Sequence, residues 1–289
     1  MSESLIAVTG ATGHLGRLVV EALLERGVPA GRIVAAARRP EKASALAARG
    51  VEVRAADYAR PETLDAALAG VGRLLLVSSN EVGQRFAQHR NVIEAAVRAG
   101  VELVAYTGIL KAPTSGLILA GEHKATEEAI RDSGLPFVFL RNGWYTENYD
   151  ASIRQAVEHG AILGSAGDGR VSAAARADYA AAAAAVLTEA GHENRAYELG
   201  GDEAFTLAEL AAEVSRQSGR EVVYRDLPPE AYAEALASFG VPADFARVLA
   251  DSDLGISRGE LHTDSGDLRR LAGRPTVTLA EAVAAALKK

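Results

Sequence analysis

The chain has 289 residues, of which 48% are hydrophobic and 24% charged, a balance typical of a globular protein with a full core. Its formal charge of −7 argues against a nucleic-acid-binding surface, which would normally carry a basic patch. The absence of cysteine excludes disulfides and thiolate metal sites, and it fits a reducing cytoplasm.

The start of the chain predicts a strand, a glycine turn and a helix in direct succession. The apolar run 5–9 predicts a buried strand, and the turn 10–16 leads into a helix-like segment at 17–24. No basic, apolar leader precedes this strand, and the longest apolar stretch, 180–187, is too short to span a bilayer. We expect a soluble, cytoplasmic protein that binds neither nucleic acid nor a membrane.

Strands and helices alternate over the first half of the chain. Further strands are predicted at 32–37, 51–55, 73–77, 101–106 and 136–140. Helices are predicted at 41–49, from Pro61 onward, at 84–99 and at 120–133. This alternation indicates an α/β fold with a Rossmann-type, doubly wound parallel sheet.

The pattern changes after residue 141. Residues 142–176 are interrupted by glycines, and a helix at 178–189 and a strand at 197–199 follow. Capping boxes at 206–209 and 278–281 predict two later helix starts. We expect a dinucleotide-binding domain over 1–141 and a smaller, partly interleaved C-terminal α/β lobe over 142–289 that binds the substrate, with 178–199 returning to the first domain.

The glycine turn predicts a dinucleotide site. Gly10 lets the backbone reverse, Gly13 lets a pyrophosphate approach the main chain, and Gly16 lets the helix pack against the strand. The helix N-terminus offers free N–H groups and a positive dipole end to the phosphates. The spacing G-x-x-G-x-x-G is typical of extended and atypical short-chain reductases.

Basic residues after the second strand predict a preference for NADP over NAD. An acid there would bind the ribose 2′-hydroxyl of NAD, but this chain has Arg38 and Arg39 and no acid until Glu41. We expect Arg38, with Lys42 as a second candidate, to bind the 2′-phosphate. The alternative is a solvent-exposed arginine pair at a helix start.

Two further polar segments follow strands. Asp57, after the third strand, could accept a hydrogen bond from the adenine amino group or serve as an ordinary turn residue. Ser78, Ser79 and Asn80 end the fourth strand, where small polar side chains could lie against the nicotinamide ribose or simply form a turn.

Motifs along nearly the whole chain resemble the flavin-independent quinone reductases of the NmrA-like atypical short-chain reductases, with the triphenylmethane-dye reductases as close relatives. These motifs are 8–13, 55–58, 75–85, 88–93, 105–107, 140–149, 176–183 and 249–253. The resemblance implies NADPH as hydride donor, quinones as acceptors and no flavin. It also implies particular residue roles.

By position, the resemblance implies cofactor-binding roles for Gly10, Thr12, Gly13, His14, Leu15, Arg38, Asp57, Ser78, Ser79 and Asn80, and we expect Gly16 of the turn to join them. It places Tyr106 and Thr107 beside the nicotinamide, with Tyr106 as a catalytic candidate. It places Asn142, Gly143, Trp144 and Tyr145 at the substrate cleft, together with Asn80. Lys124 lies near a lysine that many members use to contact the ribose or the substrate; the alternative is an exposed cation paired with Glu128.

The Tyr-x-x-x-Lys pair of short-chain alcohol dehydrogenases is missing, since Leu110 follows Tyr106 four residues later and Lys111 comes one position late. This argues against chemistry that depends on an internal acid. A quinone is already electrophilic, so hydride transfer to it needs mainly proximity and a flat slot. Trp144 and Tyr145 could form one wall of that slot or could be core aromatics.

The leading hypothesis is therefore an NADPH-dependent quinone reductase, monomeric or homodimeric, that acts on a small quinone. The histidines show no metal-ligand spacing, and we expect no catalytic metal. One alternative is an NmrA-like sensor that binds the dinucleotide without turnover. Another is a reductase of a different conjugated acceptor, such as a triarylmethane dye.

Overall fold

The structure is a computed structural model that describes residues 4–289. The strands are β1 (Leu5–Thr9), β2 (Ile33–Ala37), β3 (Glu52–Ala55), β4 (Val71–Leu76), β5 (Leu103–Ile109), β6 (Phe137–Asn142), β7 (Ala161–Gly164), β8 (Arg195–Leu199) and β9 (Val223–Asp226). The helices are α1 (His14–Glu25), α2 (Ser44–Ala47), α3 (Pro61–Leu68), α4 (Arg85–Ala99), α5 (Ala120–Asp132), α6 (Asp150–His159), α7 (Arg176–Thr188), α8 (Leu207–Ser218), α9 (Pro229–Ser238), α10 (Ala243–Ser257), α11 (Asp267–Ala272) and α12 (Leu279–Ala286). Short 3₁₀ turns lie at Ala30–Arg32, Pro40–Ala43 and Thr146–Tyr149.

The main sheet has seven strands in the order β3-β2-β1-β4-β5-β6-β8. Strands β1 to β6 pair in parallel, and the strand order reverses direction between β1 and β4. In parallel sheets of this kind, ligands bind beyond the carboxyl ends of the strands at such a switch point. The Rossmann-type doubly wound sheet predicted from the sequence is confirmed.

The central strands are apolar because helices cover both faces of the sheet. All five residues of β2 are buried, and the buried residues of β4 include Leu74, Leu75 and Leu76. One core cluster packs these strands against α3, α4 and α5, with Val92, Ile130 and other apolar side chains at its centre.

The chain forms two compact units. The first contains the chain up to Ile109, Glu122–Asn142 and Arg176–Tyr197. The second contains Leu110–Gly121, Gly143–Ala175 and Glu198–Lys289. The segment Leu110–Gly121, which the sequence analysis assigned to the first domain, is held in the second unit by hydrogen bonds: Ser115 Oγ and Gly116 N donate to Glu260 Oε2 at 2.6 and 2.8 Å.

The second unit has its own small sheet, in which β7 and β9 pair in parallel. Neither strand is predicted from the sequence, because each has only four residues and β9 is largely exposed. The two capping boxes are confirmed: Thr206 and Thr278 each accept a hydrogen bond from the N–H of the glutamate three residues later.

The predicted crossover helix at 41–49 is wrong. A 3₁₀ turn at Pro40–Ala43 and the one-turn helix α2 occupy this segment, and Gly50 ends it with φ +85°. The segment is helical only over Pro40–Ala47, as a 3₁₀ turn followed by a single α-helical turn, and the left-handed glycine closes it. No helix among residues 4–289 is both long and apolar enough to cross a membrane.

Candidate active site

The glycine turn between β1 and α1 has a tightly fixed backbone. Gly10 has φ +59°, a left-handed conformation that favours glycine, and the N–H of Gly13 donates to Gly10 O at 2.8 Å. A Cβ on Gly16 would lie 2.3 Å from Gly10 O, so only glycine fits there. Gly16 thus lets α1 pack against the carbonyl of the turn itself, rather than against the strand as the sequence analysis expected.

Helix α1 begins without a side-chain cap. Its N-cap residue, Gly13, has no side chain that could accept a hydrogen bond, so the first N–H groups of α1 point beyond the helix end. His14 is exposed and Thr12 half-buried, whereas the side chain of Leu15 is buried. Leu15 can therefore contact a ligand only through its main chain.

The ends of β1 and β4 are joined through one hydroxyl. Thr9 Oγ1 donates to Leu75 O and accepts from Val77 N, both at 3.0 Å. The hydroxyl of Tyr58 donates to Val77 O at 2.8 Å and also lies against Thr9 Oγ1. These bonds fix the backbone on both sides of the switch point.

Arg38 lies just beyond the carboxyl end of β2, where it is exposed. Its Nη1 donates to Glu81 Oε1 at 2.8 Å, so the loop after β4 reaches the end of β2. Lys42 is exposed in the adjoining 3₁₀ turn. Glu81 was not singled out from the sequence, although it follows directly after the predicted Ser-Ser-Asn segment.

Asp57 stabilises a turn, which is one of the two roles considered for it from the sequence. Its Oδ1 accepts from Ala59 N at 3.0 Å, and its own N–H donates to Thr63 Oγ1 at 2.9 Å. These bonds shape the entry into α3. The adenine-binding role stays a prediction.

Buried polar side chains of α4 hold the loop after β4. The N–H of Ser79 donates to His89 Nε2 at 2.8 Å, its hydroxyl donates to Gln88 Oε1 at 2.5 Å, and its carbonyl accepts from Arg85 Nε at 2.6 Å. The N–H of Ser78 donates to Thr107 Oγ1 at 2.9 Å, which ties this loop to β5. Asn80 is exposed at the tip.

His89 is neutral in this network. Burial, and then the charge of Arg85, lower its pKa to about 3. Because Nε2 accepts from Ser79, the proton is assigned to Nδ1, which lies 3.0 Å from Thr126 Oγ1. No role is predicted from the sequence for Arg85, Gln88 or His89. Their polar side chains on the apolar face of an amphipathic helix could have identified them.

Tyr106, expected as a catalytic residue, does not present its side chain at the sheet edge, and its catalytic role stays a prediction. Its side chain is completely buried in the core under α4 and α5, and its hydroxyl lies 2.7 Å from His123 Nδ1. Successive side chains on a strand point to opposite faces, so Thr107 reaches the loop after β4 while Tyr106 points into the core. Burial also raises the pKa of Tyr106 well above its usual range, which opposes proton transfer.

Lys124 is exposed on α5, and within residues 4–289 it forms no ion pair with Glu128. The buried carboxylate of α5 is instead Glu127, which accepts from Arg141 Nη2 at 2.8 Å. The structure therefore does not support the alternative interpretation of Lys124 as the partner of Glu128. The catalytic role of Lys124 stays a prediction.

The four residues predicted at the substrate cleft fall on both sides of the division between units. Asn142 is the buried last residue of β6 in the first unit, at the same carboxyl edge as the glycine turn. Gly143, Trp144 and Tyr145 belong to the second unit, where Gly143 N donates to Leu199 O at 2.7 Å and Trp144 O accepts from Ala174 N at 3.1 Å. Both aromatic side chains are half-buried, and their roles stay predictions.

Lys111 cannot replace the missing catalytic lysine. It lies in a turn after β5 with φ +54°, and its Nζ donates to Gly259 O at 2.8 Å in the second unit. In the described residues, no group of three or more histidine or acidic side chains is arranged to hold a metal ion.

A parallel sheet with a glycine turn at its switch point and an arginine after its second strand defines a Rossmann-type α/β protein of the dinucleotide-binding class. Within that class, the chain belongs to the NmrA-like family, whose model matches residues 2–254.

The chain is also similar to known proteins over nearly its whole length. It is 56% identical over 279 residues to quinone oxidoreductase 2 of Escherichia coli, covering 96% of this chain and 97% of that protein. It is similar to the crystal structure of the NADPH-dependent quinone oxidoreductase of E. coli in complex with NADPH, with a TM-score of 0.95, 55% identity and coverage of 98% and 100%. It is also similar to the Citrobacter sp. triphenylmethane reductase complexed with NADP(H), with a TM-score of 0.93, 45% identity and coverage of 97% and 99%.

Proposed function

We propose that this protein is an NADPH-dependent reductase that transfers a hydride to quinones without a flavin. The observation that carries the proposal is the position of Arg38 beyond β2, at the same sheet edge as the glycine turn. The similarity to the NADPH-dependent quinone oxidoreductase of E. coli over 98% of the chain supports the same conclusion.

The residues of the turn fit a dinucleotide. The N-terminus of α1, where Gly13 is exposed and has no side chain, offers main-chain donors to a pyrophosphate. Arg38 would hold the adenosine 2′-phosphate through charge-assisted hydrogen bonds, with Lys42 nearby as a second cation. The rigid Ser78–Asn80 loop would position the nicotinamide ribose.

Bound NADPH supplies the hydride in this proposal. The protein positions the nicotinamide and the quinone and excludes water from between them, since a quinone needs little further activation. Asn142, Gly143, Trp144 and Tyr145 would line the acceptor site, together with Asn80. No internal acid is invoked, because Tyr106 is buried and protons can reach the reduced quinone from water.

The test is oxidation of NADPH by the purified protein with and without a small quinone, followed by the absorbance of the reduced nicotinamide. We expect turnover with quinone when no flavin is added, and no flavin absorbance in the protein itself. Binding of NADPH without turnover would favour a sensor, and turnover only after addition of flavin would contradict flavin independence.

A second acceptor class is favoured by a specific observation. The triphenylmethane reductase of Citrobacter sp. is 45% identical to this chain over nearly its whole length. Acceptor profiling with quinones and triarylmethane dyes under one set of conditions separates the two acceptor classes.

Size-exclusion chromatography would test the proposed monomer or homodimer. The cysteine-free composition supports a cytoplasmic location.

A further inference from the structure

The guanidinium of Arg38 is paired with an acid that lies 43 residues away in the sequence. Its Nη1 donates to Glu81 Oε1 at 2.8 Å, and the two side chains are 57% and 43% exposed. An exposed pair of this kind is weak, so a phosphate dianion can displace the carboxylate from Arg38.

The two partners are not held equally. The other oxygen of Glu81, Oε2, accepts from Gln88 Nε2 at 2.7 Å, and the N–H of Glu81 donates to Ser79 Oγ at 3.2 Å. Gln88 is itself buried in α4. In the described residues, the only side-chain polar contact of Arg38 is Glu81. When the pair separates, Arg38 can therefore move while Glu81 stays in place.

The carboxylate of Glu81 is charged near neutral pH, since the hydrogen bonds from Gln88 and Arg38 lower its pKa. A phosphate bound to Arg38 would then lie within a few ångströms of a fixed negative charge. A repulsion between like charges at this range, in a solvent-exposed place, corresponds to about a threefold to tenfold loss of affinity.

Building on the proposed function, we propose that Glu81 is a specificity-determining residue that opposes binding of the 2′-phosphate at Arg38. The protein consequently discriminates less strongly between NADPH and NADH than Arg38 alone would allow. Glu81 repels the phosphate only, because NADH carries at the same position a neutral hydroxyl, which a carboxylate does not repel and can bind.

The test compares the dissociation constants of NADPH and NADH for the wild type, Glu81→Gln and the matched control Glu41→Gln. Glutamine at position 81 keeps an acceptor for Gln88 and removes the charge, while Glu41 is an exposed acid in the 3₁₀ turn after Arg38. We expect Glu81→Gln to bind NADPH about threefold to tenfold more tightly and to bind NADH with equal or lower affinity. The gain should shrink at high salt, and Glu41→Gln should change neither constant.

Arg38→Ala and the double variant Arg38→Ala/Glu81→Gln complete a cycle that separates electrostatics from loop structure. We expect the gain in NADPH affinity to fall by more than half without Arg38, because the phosphate then loses its binding group. An equal change in NADPH and NADH affinity would indicate a structural effect on the Ser79 loop and would overturn the inference. So would weaker or unchanged NADPH binding by Glu81→Gln. Failure of the wild type to bind either dinucleotide would instead overturn the proposed function, and the inference with it.

Discussion

The N–H of Ser79 donates to Nε2 of His89 at 2.8 Å, so a neutral, buried imidazole holds the loop at the end of β4. The folded protein keeps this group unprotonated down to about pH 3, whereas the unfolded chain takes up a proton near pH 6.5. Protonation of the unfolded chain therefore lowers stability as pH falls from about 6.5 toward 3. Each pH unit in this window lowers the free energy of unfolding by up to about 1.4 kcal/mol.

We expect His89→Gln to reduce this acid sensitivity, because glutamine keeps an acceptor for Ser79 but does not titrate. Between about pH 6.5 and about pH 4.5, the variant should lose about 2 to 3 kcal/mol less of its free energy of unfolding than the wild type. Denaturant unfolding at the two pH values measures the difference. His14→Gln, at an exposed position of α1, is the control, and equal acid sensitivity of wild type and His89→Gln would contradict the prediction.

Gly16→Ala should damage both the fold and cofactor binding. Its new Cβ would lie 2.3 Å from Gly10 O, and relief of this clash must shift the turn or the start of α1. We expect a loss of about 1–3 kcal/mol in stability and a marked rise in the dissociation constant of NADPH. Gly31→Ala is the control, since a Cβ there has open space around it. Native NADPH affinity in Gly16→Ala would show that the turn does not hold the dinucleotide.

Arg38→Glu should weaken NADPH binding about tenfold to a hundredfold, because it replaces charge-assisted hydrogen bonds with repulsion. NADH affinity should change far less. Titration of the protein with each nucleotide, followed by quenching of its Trp144 fluorescence or by calorimetry, gives both constants. An unchanged ratio of the two constants would remove Arg38 from the phosphate site.

Tyr106→Phe should leave catalysis intact. The lost hydroxyl lies against His123 in the core, so we expect a decrease in stability of about 1 kcal/mol and a kcat with quinone within about twofold of the wild type. Thermal unfolding and steady-state kinetics on the same preparation provide the two readouts. A hundredfold fall in kcat with normal stability would restore a catalytic role to this hydroxyl.

The sequence predicts β1, the glycine turn and α1 well, because local rules determine them: an apolar run, glycines at fixed spacing and a helical pattern. It does not predict that Glu81 meets Arg38. Their contact depends on β4 and β2 both lying next to β1, which is a property of the sheet order and not of either segment.

The position of Tyr106 shows a second limit of what can be predicted from the sequence. Tyr106 and Thr107 are neighbours on β5, and both are buried, so hydrophobicity alone does not tell which side chain reaches the sheet edge. Only the strand alternation together with the packing of α4 and α5 decides that Thr107 contacts Ser78. The helix predicted at 41–49 is too long for a related reason, since an alanine-rich stretch has helical propensity whatever its surroundings allow.

Asp253 should give the second unit the opposite pH dependence to that of His89. Its buried carboxylate accepts from Ser165 N at 2.9 Å, and burial, aided by the charge of Asp226, raises its pKa to about 7. The folded protein therefore retains a proton that the unfolded chain releases near pH 3.8. The contribution to stability is present at low pH and is lost as pH rises through about 7, and its total is on the order of 4 kcal/mol.

We expect Asp253→Asn to remove this loss, because the amide resembles the protonated acid and still offers Ser165 an acceptor. Between about pH 5 and about pH 8, the free energy of unfolding of the variant should fall by about 2 to 3 kcal/mol less than that of the wild type. Asp244→Asn, an exposed acid on the same helix α10, is the control and should follow the wild type. A variant that loses as much stability as the wild type would mean that Asp253 is ionised in the folded protein throughout this range. Its charge would then have to be stabilised by a contact stronger than the single N–H of Ser165.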